Sequence, residues 1–336
     1  MSFGVSLGGG RLEYGGGTLA QLFAQPTNAL RPRFWSMIRD LLRFYREAPK
    51  LLGTEGAETL GDYLDRNRYG VAFAEDHLLP MGAAIWSGSL SGMRDFPARA
   101  FVRFFVNHGL LSLSDRPAWR TVTGGSRNYV ARLVQDLPDV RLARPVQRVE
   151  RIASGVTVTF DGGRQDFDQV VFACHADQAL ALLAAPTEAE TAVLGAFRFQ
   201  DNLAVLHTDA NVMPKRKRAW SAWNYSDTTP DGPVCLTYWM NQLQGLPGKT
   251  PILVTLNSAV APDGILRQIT YRHPQFDSAA LDAQKQLDSI QGRDRAWFAG
   301  AWTGWGFHED GIASAVRIAA ALGCAPVWAQ NRGRVS

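Results

Sequence analysis

Cysteine and histidine are scarce in this sequence, and neither is spaced for binding a metal. The three cysteines, Cys174, Cys235 and Cys324, form no Cys-x-x-Cys motif and no even set of pairs. They are typical of small buried side chains in a reducing cytoplasm, not of a disulfide framework. The six histidines are scattered, without a His-x-x-x-His motif or a carboxylate at ligand spacing. The sequence therefore predicts neither disulfides nor a metal site.

Long hydrophobic runs and a strong excess of one charge are also missing. Arg317 and Pro326 interrupt the longest stretch of small residues, so no segment reaches membrane-spanning length. No basic region followed by an apolar core is visible at the start, which argues against a signal peptide. A net charge of +4 over 336 residues is too small to indicate a nucleic-acid partner. We expect a cytoplasmic protein with one large or two interleaved domains.

The sequence also lacks a convincing nucleophile and base. His175 and Asp177 follow a predicted strand, and a general-base role for His175 is conceivable. A His and an Asp two residues apart at a helix start are, however, typical of local capping. No Ser or Cys partner with the logic of a catalytic triad accompanies them. A hydrolase or isomerase that uses His175 stays an alternative, and it would have to work without a cofactor.

The most informative segment runs from Ala296 to Gly323. Its first four residues are an apolar run typical of a buried strand, and its second half has apolar residues at helical spacing. Glycines in the connecting turn let the backbone approach a ligand, and the helix start offers unpaired N–H groups with a positive dipole end. Those glycines are Gly300, Gly304, Gly306 and Gly311.

Aromatic and titratable side chains crowd the same turn. They are Trp302, Trp305, Phe307, His308, Glu309 and Asp310. One interpretation is a binding site for a planar, electron-rich ligand. The other is an aromatic loop packed on its own core, in which the two carboxylates only favour the helix start electrostatically.

The segment resembles a known family. Phe298-Ala-Gly300, a glycine-rich turn, the pair Asp310-Gly311 and a helix of small residues are similar to the C-terminal flavin-binding segment of the FAD-dependent amine-oxidase superfamily. That superfamily includes monoamine oxidases and phytoene desaturases, and the subfamily most similar to this chain comprises bacterial NAD/FAD-binding amine-oxidase-like flavoproteins. In the superfamily the helix start faces the pyrimidine edge of the flavin. The resemblance implies FAD as cofactor and Gly300, Glu309, Asp310 and Gly311 as cofactor-binding residues.

The dinucleotide fingerprint of that superfamily is not found where it is expected. Residues 15–20 formally match G-x-G-x-x-A, but the preceding Arg11-Leu-Glu-Tyr14 is half polar and the following segment is helical. The fingerprint needs a buried strand before it and an acidic residue at the end of a second strand. The comparison implies a chain that lacks the N-terminal dinucleotide-binding βαβ unit, through either a wrongly assigned start or a deletion.

Further flavin-domain positions follow from the resemblance. Superfamily members have a Gly-Gly pair before the helix that Ser126 opens here, which implies that Gly124 and Gly125 lie at the edge of the flavin domain. The pattern predicts Ser126 as its N-cap and an inward apolar face on that helix. A strand beginning at Val146 touches the adenine through its backbone in the family, and the strand over 167–173 returns to the dinucleotide core. Val146 and Ala173 are therefore further cofactor-binding candidates.

The predicted fold class is α/β (α+β), with an incomplete Rossmann-like FAD domain and an inserted substrate domain of mixed sheet and helices. The predicted FAD domain is discontinuous, over 1–20, 120–185 and 292–325; the substrate domain covers 21–119 and 186–291. Substrate-pocket candidates are aromatic residues or lie beside the flavin segment: Trp86, Tyr238, Trp239, Trp305 and His308. Each of the first three also suits a core position.

Residues 30–52 form a basic amphipathic helix in the sequence pattern. A helix of the substrate domain with a solvated basic face is one interpretation; a helix on a membrane surface, peripheral to the inner membrane face, is the other. The basic run Lys215-Arg-Lys-Arg218 beside Trp220 and Trp223 either adds to such a surface or forms a charged hairpin loop. The sequence does not decide between the two interpretations of either segment, and it does not give the oligomeric state.

The resemblance implies an oxidoreductase that removes hydride from a C–H bond, with the cofactor supplying the chemistry. Ala301 and Trp302 replace the Gly-Glu that amine oxidases often show after Phe-Ala-Gly, which argues against amine oxidation. Relatives of the subfamily are associated with enzymes of cyclopropane and methyl-branched fatty acids, so a lipid acyl chain is the expected substrate. The alternative is a flavin-free, truncated protein that binds a lipid or a partner.

Overall fold

The computed structural model describes residues 2–54, 56, 58–112, 119–227 and 232–330. The chain forms two compact units. The first unit comprises residues 1–136 and 200–273, and the second comprises residues 137–199 and 274–336. Within the described ranges, no helix is both long and apolar enough to cross a bilayer.

The strands of the described residues are β1 (Phe3–Leu7), β2 (Leu12–Gly15), β3 (Val146–Ile152), β4 (Gly155–Phe160), β5 (Gly163–Phe167), β6 (Val170–Phe172), β7 (Arg198–His207), β8 (Trp223–Ser226), β9 (Cys235–Trp239), β10 (Leu253–Leu256), β11 (Ile265–Gln275) and β12 (Ala296–Phe298). The predicted strand over 167–173 is two strands in the structure, because β5 ends at Phe167 and β6 begins only at Val170.

The α-helices of the described residues are α1 (Leu19–Leu22), α2 (Pro32–Glu47), α3 (Leu60–Arg66), α4 (Val71–Phe73), α5 (Leu79–Trp86), α6 (Leu90–Arg94), α7 (Ala98–Asn107), α8 (Arg127–Gln135), α9 (Ala176–Leu182), α10 (Glu188–Gly195), α11 (Met240–Gln244), α12 (Ser278–Gln286), α13 (His308–Ala321) and α14 (Val327–Gln330). A π-helical turn, Ala74–Leu78, connects α4 to α5. The mixture of sheet and helix confirms the predicted fold class.

A seven-stranded mixed sheet with the order β11-β7-β10-β9-β8-β1-β2 organises the first unit. β1 and β2 form the predicted hairpin around Gly8-Gly9-Gly10, and β1 pairs in parallel with β8, with Val5 opposite Tyr225. This pairing places residues 3–15 in the same unit as the strands of residues 200–273. The boundary of the compact units therefore differs from the predicted assignment of residues 1–20 to the FAD domain.

The glycine turn after β2 does not have the structure of a phosphate loop. β2 pairs antiparallel with β1, and the helix that follows, α1, has only four residues. A dinucleotide fingerprint instead joins a parallel strand to a full helix. The structure therefore agrees with the rejection of residues 15–20 as a dinucleotide site.

Helix α2 buries one side against the rest of the first unit. Phe34, Met37, Asp40 and Phe44 are its buried residues, whereas Leu42 is exposed. The buried Asp40 carboxylate accepts a hydrogen bond from the Gly70 amide at 2.8 Å, so a polar group in the core-facing side of the helix is satisfied. The helix is amphipathic as predicted.

The second unit has two small sheets and one apolar core. β3, β4 and β5 form an antiparallel sheet, and β6 pairs in parallel with β12. The Phe172 and Phe298 rings stack with their centroids 5.3 Å apart, inside a core that α9, α10 and α12 cover. Each Å² of apolar surface buried in this core stabilises the fold by about 25 cal/mol. The β6–β12 pair lies at the centre of the core.

A buried histidine in the sheet of the first unit makes the stability of the fold pH-dependent. His207 Nδ1 accepts the Asp209 amide proton at 3.1 Å, so Nε2 carries the ring proton and donates to Thr255 Oγ1 at 2.8 Å. Burial lowers the pKa of this imidazole below its ordinary value. Protonation of Nδ1 would also break the bond to Asp209.

We expect the free energy of unfolding to fall as the pH is lowered through about 6.5, the pKa of an unfolded histidine. Below that pH the unfolded chain takes up a proton that native His207 does not, so the stability present above pH 6.5 is progressively lost. Urea unfolding between pH 7.5 and pH 5 measures this slope. It should be flatter in His207→Gln than in the unchanged protein. Equal slopes in the two proteins would contradict the assignment.

Candidate functional site

The parallel strands β6 and β12 end side by side and place two predicted residues together. Phe172 lies opposite Phe298, and the Ala299 amide donates to the Phe172 carbonyl at 2.8 Å. Ala173 and Gly300 follow directly. In α/β sheets, ligands bind outside the carboxyl ends of parallel strands. The structure thus brings two of the predicted cofactor-binding residues to the edge where a ligand is expected.

Gly300 is required by its surroundings. A Cβ atom at this position would lie 2.5 Å from Trp302 Nε1, which itself donates to the Cys174 carbonyl at 3.0 Å. The Gly300 amide donates to Ser314 Oγ at 3.0 Å. The chain leaving β12 is therefore held both to β6 and to α13, and the buried Trp302 belongs to this packing and not to a ligand surface.

The Asp310 carboxylate builds the turn from inside. Its Oδ2 accepts the amide protons of Trp305 and Phe307, each at 3.0 Å. A Cβ at Gly304 would lie 2.6 Å from Asp310 Cγ, so the glycine makes room for this carboxylate. Asp310 is a predicted cofactor-binding residue; in the structure its carboxylate accepts two backbone amides and so positions the turn.

Two further polar side chains hold the turn, and the sequence analysis missed both. Gln284 on α12 donates to the Trp302 carbonyl at 3.0 Å and to the Gly304 carbonyl at 2.6 Å. Ser314 on α13 is buried and donates to the Gly311 carbonyl at 2.6 Å. A hydroxyl within a helix of otherwise small apolar residues is the only sequence signal for Ser314, and Gln284 has none.

The exposed part of the site is the first turn of α13. His308 and Glu309 are exposed, and Trp305 is half-buried with its ring 6.2 Å from that of Phe276. The start of a helix carries partial positive charge from the aligned peptide dipoles. An electron-rich ligand edge is favoured at such a surface.

Much of the apolar pattern of α13 is exposed. Of the residues that recur at helical spacing, Ile312, Ala315, Ala320 and Leu322 are exposed, and Val316 and Ala319 are half-buried. The buried residues of α13 are Ser314 and Ile318. The helix itself and its end at Gly323, which has φ +76°, were predicted correctly. Small apolar residues occur on several faces of the helix, so their spacing does not determine which face is buried.

The remaining second-unit candidates are Val146 and His175. Val146 opens β3 opposite Phe160 and is 41% exposed. His175 has the predicted capping geometry, because its amide donates to Gln178 Oε1 at 3.2 Å and its ring stacks on Phe199 at 4.3 Å. Across the described residues, no group of His, Cys, Asp or Glu side chains is arranged to hold a metal.

Gly124 and Gly125 belong to the first unit, in the turn before α8. Both have positive φ, +79° and +84°, and a Cβ at Gly124 would collide with the Asn128 side chain. Ser126 occupies the N-cap position but makes no side-chain capping bond. The expected inward face of α8 is also wrong, since none of the residues of that helix is buried in the structure.

The aromatic pocket candidates of the first unit have different environments. Trp86 is buried, with its ring 4.7 Å from Phe96, and its pocket-lining role stays a prediction. Tyr238 packs edge-on against Trp223 at 5.1 Å, and burial raises the pKa of its hydroxyl. Trp239 lines a cleft of about 180 Å³.

Replacing Asp310 tests whether its carboxylate holds the turn. In Asp310→Ala, the Trp305 and Phe307 amides lose a charged acceptor, and a hydrogen bond to a charged group contributes about 1.5–3 kcal/mol. We expect deuterium exchange in the peptide over residues 300–312 to become at least about tenfold faster. The control is Asp282→Ala, whose carboxylate pairs on the surface with Lys285 at 2.7 Å. Unchanged exchange in Asp310→Ala would contradict this role.

Comparison with known proteins identifies the family of this chain. The sequence profile of the family described as flavin containing amine oxidoreductase matches residues 47–259. A sequence search of curated proteins gives no significant match. Several solved structures share the fold at low sequence identity, and a similarity of this kind shows only the fold.

Three of these structures illustrate the similarity. A fatty acid isomerase from P. acnes that produces CLA is 13% identical, with a TM-score of 0.61, covering 96% of this chain and 79% of that one. Wild-type putrescine oxidase bound to putrescine is 14% identical, with a TM-score of 0.62 and coverages of 96% and 80%. Cyclohexylamine oxidase from Brevibacterium oxydans IH-35A is 13% identical, with a TM-score of 0.60 and coverages of 96% and 81%.

The family profile matches well over half of the chain, and the fold agrees with it. The chain therefore belongs to the flavin-containing amine oxidoreductases and is an FAD-dependent oxidoreductase.

Proposed function

We propose that this oxidoreductase removes hydride from a C–H bond of a hydrophobic substrate, a lipid acyl chain, beside the turn of residues 300–310, while the adjacent carbon loses a proton to solvent and a carbon–carbon double bond forms. FAD, when bound, supplies the acceptor for that hydride. The observation that carries the proposal is the turn itself. The turn follows a parallel strand and leads into the long helix α13, whose first turn is exposed. Hydrogen bonds of the Asp310, Gln284 and Ser314 side chains hold it in place.

The residues of the turn fit the electron-rich edge of a flavin ring. Glycine is required at Gly300, where a side chain would meet Trp302, and the first turn of α13 presents partial positive charge. Negative charge that develops during reduction is stabilised by such a helix end. Gly300 and the start of α13 are the proposed contacts, with Asp310 fixing the chain before the helix through the Trp305 and Phe307 amides.

The protein side chains near the turn supply position and exclusion of water. Trp305 and Phe307 are half-buried, and they offer apolar surface next to the helix start. His308 is exposed at the first position of α13 and is the proposed substrate-facing residue. Apolar walls of this kind exclude water from a hydride transfer and contact an acyl chain without demanding a charge on it.

Two observations favour an acyl chain over an amine. Ala301 and the buried Trp302 follow Gly300, so this part of the turn offers no carboxylate to an ammonium group. A protein with the same fold is described as a fatty acid isomerase, although putrescine and cyclohexylamine oxidases share the fold as well.

Flavin binding is tested first. Titration of the purified protein with FAD, followed by visible absorption, should give a saturable flavin spectrum. In Gly300→Val the added side chain would meet Trp302 and displace the turn, so the dissociation constant for FAD should rise at least about tenfold, which is 1.4 kcal/mol. Gly53→Val is the matched control, because a Cβ there meets no atom within 4 Å. Equal FAD affinities in the two variants would remove Gly300 from the site.

The substrate class is tested separately with the FAD-loaded protein under anaerobic conditions. We expect an unsaturated fatty acid such as oleate to bleach the oxidised flavin band, and putrescine and cyclohexylamine to leave it unchanged. Bleaching by the amines alone would overturn the acyl-chain proposal while leaving the flavin site intact.

A further inference from the structure

Several large apolar side chains of the first unit protrude into solvent as one group. Leu19 and Leu30 are 77% and 84% exposed, and Trp35 is 49% exposed. Phe23 lies one turn after Leu19, and its ring packs on that of Trp35 with centroids 5.9 Å apart. Trp35 Nε1 donates to the carbonyl of Ala29, next to Leu30. We call Leu19, Phe23, Leu30 and Trp35 the apolar ridge.

The structure joins the apolar ridge to the basic run of residues 215–218. Gln21, on the same helix as Leu19, donates to the Trp220 carbonyl at 3.2 Å. The side chains of Lys215, Lys217 and Arg218 are exposed. In the part of the chain that the structure describes, none of these three cations has an ion-pair partner. Distant segments of the sequence therefore meet at one surface with both apolar and basic character.

The two buried carboxylates close to this surface are already neutralised. Buried Glu13 accepts hydrogen bonds from the Arg216 guanidinium at 2.8 Å and from the Lys215 amide at 2.7 Å. Asp76 forms a two-point ion pair with Arg33, at 2.8 and 2.9 Å. They do not compensate the exposed lysines and arginine of the basic run.

A cleft of about 530 Å³ beside the apolar ridge adds two more cations. Its lining residues are Leu7, Arg11, Leu12, Arg31, Arg33, Phe34 and Asp76. Arg31 donates to the neutral oxygens of the Arg11 carbonyl and the Asn28 amide, at 2.5 and 3.3 Å. With Asp76 taken by Arg33, the cleft has a net positive charge over an apolar floor.

We propose that this surface docks on an anionic lipid bilayer. Leu19, Leu30 and Trp35 would enter the boundary between headgroups and acyl chains, where tryptophan is favoured. Arg11, Arg31 and the basic run would contact acidic headgroups, whose surface potential attracts cations. A nucleic acid would satisfy the charges but gives no reason for exposed leucines beside them. The charge and the protruding apolar residues together select a bilayer.

Co-sedimentation of the full-length chain with vesicles tests the proposal. We expect binding to phosphatidylglycerol–phosphatidylcholine vesicles, much weaker binding to phosphatidylcholine alone, and a loss of affinity as salt is raised. In the triple variant Lys215→Gln, Lys217→Gln, Arg218→Gln, the partition coefficient should fall about a hundredfold. In Leu19→Ser, Leu30→Ser it should fall at least about tenfold.

Matched variants separate this surface from net charge and general hydrophobicity. Arg46→Gln, Arg103→Gln, Arg267→Gln removes the same charge elsewhere on the first unit. Val260→Ser, Leu266→Ser removes two apolar side chains that are 75% and 60% exposed. Both controls should bind vesicles like the unchanged protein. Circular dichroism confirms that all four variants fold, which is expected because every replaced side chain is exposed.

Three results would overturn the proposal. One is failure to bind acidic vesicles at low salt. Another is an equal loss of binding in a control and its test variant. The third is binding that depends on the basic run but not on Leu19 and Leu30, together with equal affinity for a short duplex DNA, since that would identify a purely electrostatic site. None of these readouts depends on flavin, so they stand apart from the tests of the proposed function.

Discussion

The parallel pairing of β6 with β12 is the constraint on which the second unit depends. It stacks Phe172 on Phe298 in the core and bonds the Ala299 amide to the strand beside it. Because parallel strands end at the same edge, the register that aligns the two phenylalanines also fixes where the glycine turn begins. The position of α13 then follows from the turn, through the bond from Gly300 to Ser314. The packing of the core therefore also determines the geometry of the candidate site.

Elements with strong local signals were predictable from the sequence. The sequence pattern predicts strands over 146–152 and 155–160, and β3 and β4 have these bounds. The Asp161-Gly-Gly turn specifies locally the hairpin of β4 with β5. The helix after the glycine turn was also predictable, because small residues and Gly323 set its length. The orientation of such helices was not. Which face of α8 or α13 is buried depends on what packs against it, and periodicity gives no information about that partner.

The candidate site shows a second limit of sequence reasoning. Asp310 and Gly300 stand out in the sequence as a carboxylate and a glycine near a helix start, and both do lie in the turn. Their roles depend on partners far away in the chain. Gln284 comes from another helix, and the Cys174 carbonyl that Trp302 bonds lies 128 residues away. A polar side chain that bonds buried backbone groups leaves no periodic trace in a sequence, although leaving those groups unpaired would cost about 1–3 kcal/mol each.

The two proposals rest on different units and on different physics, yet they meet in the properties of an acyl chain. Each buried CH₂ group favours transfer out of water by about 0.8 kcal/mol, so long acyl chains are scarce in solution and concentrated in bilayers. An enzyme that acts on them gains access by residing at the bilayer surface. In the first unit, the buried Glu13 carboxylate makes such a surface possible, because it binds Arg216 and the Lys215 amide and so fixes the basic run next to β2. The buried Glu13 thereby determines the position of the exposed charges of the basic run. These charges and the apolar ridge together define the proposed docking surface for an anionic bilayer.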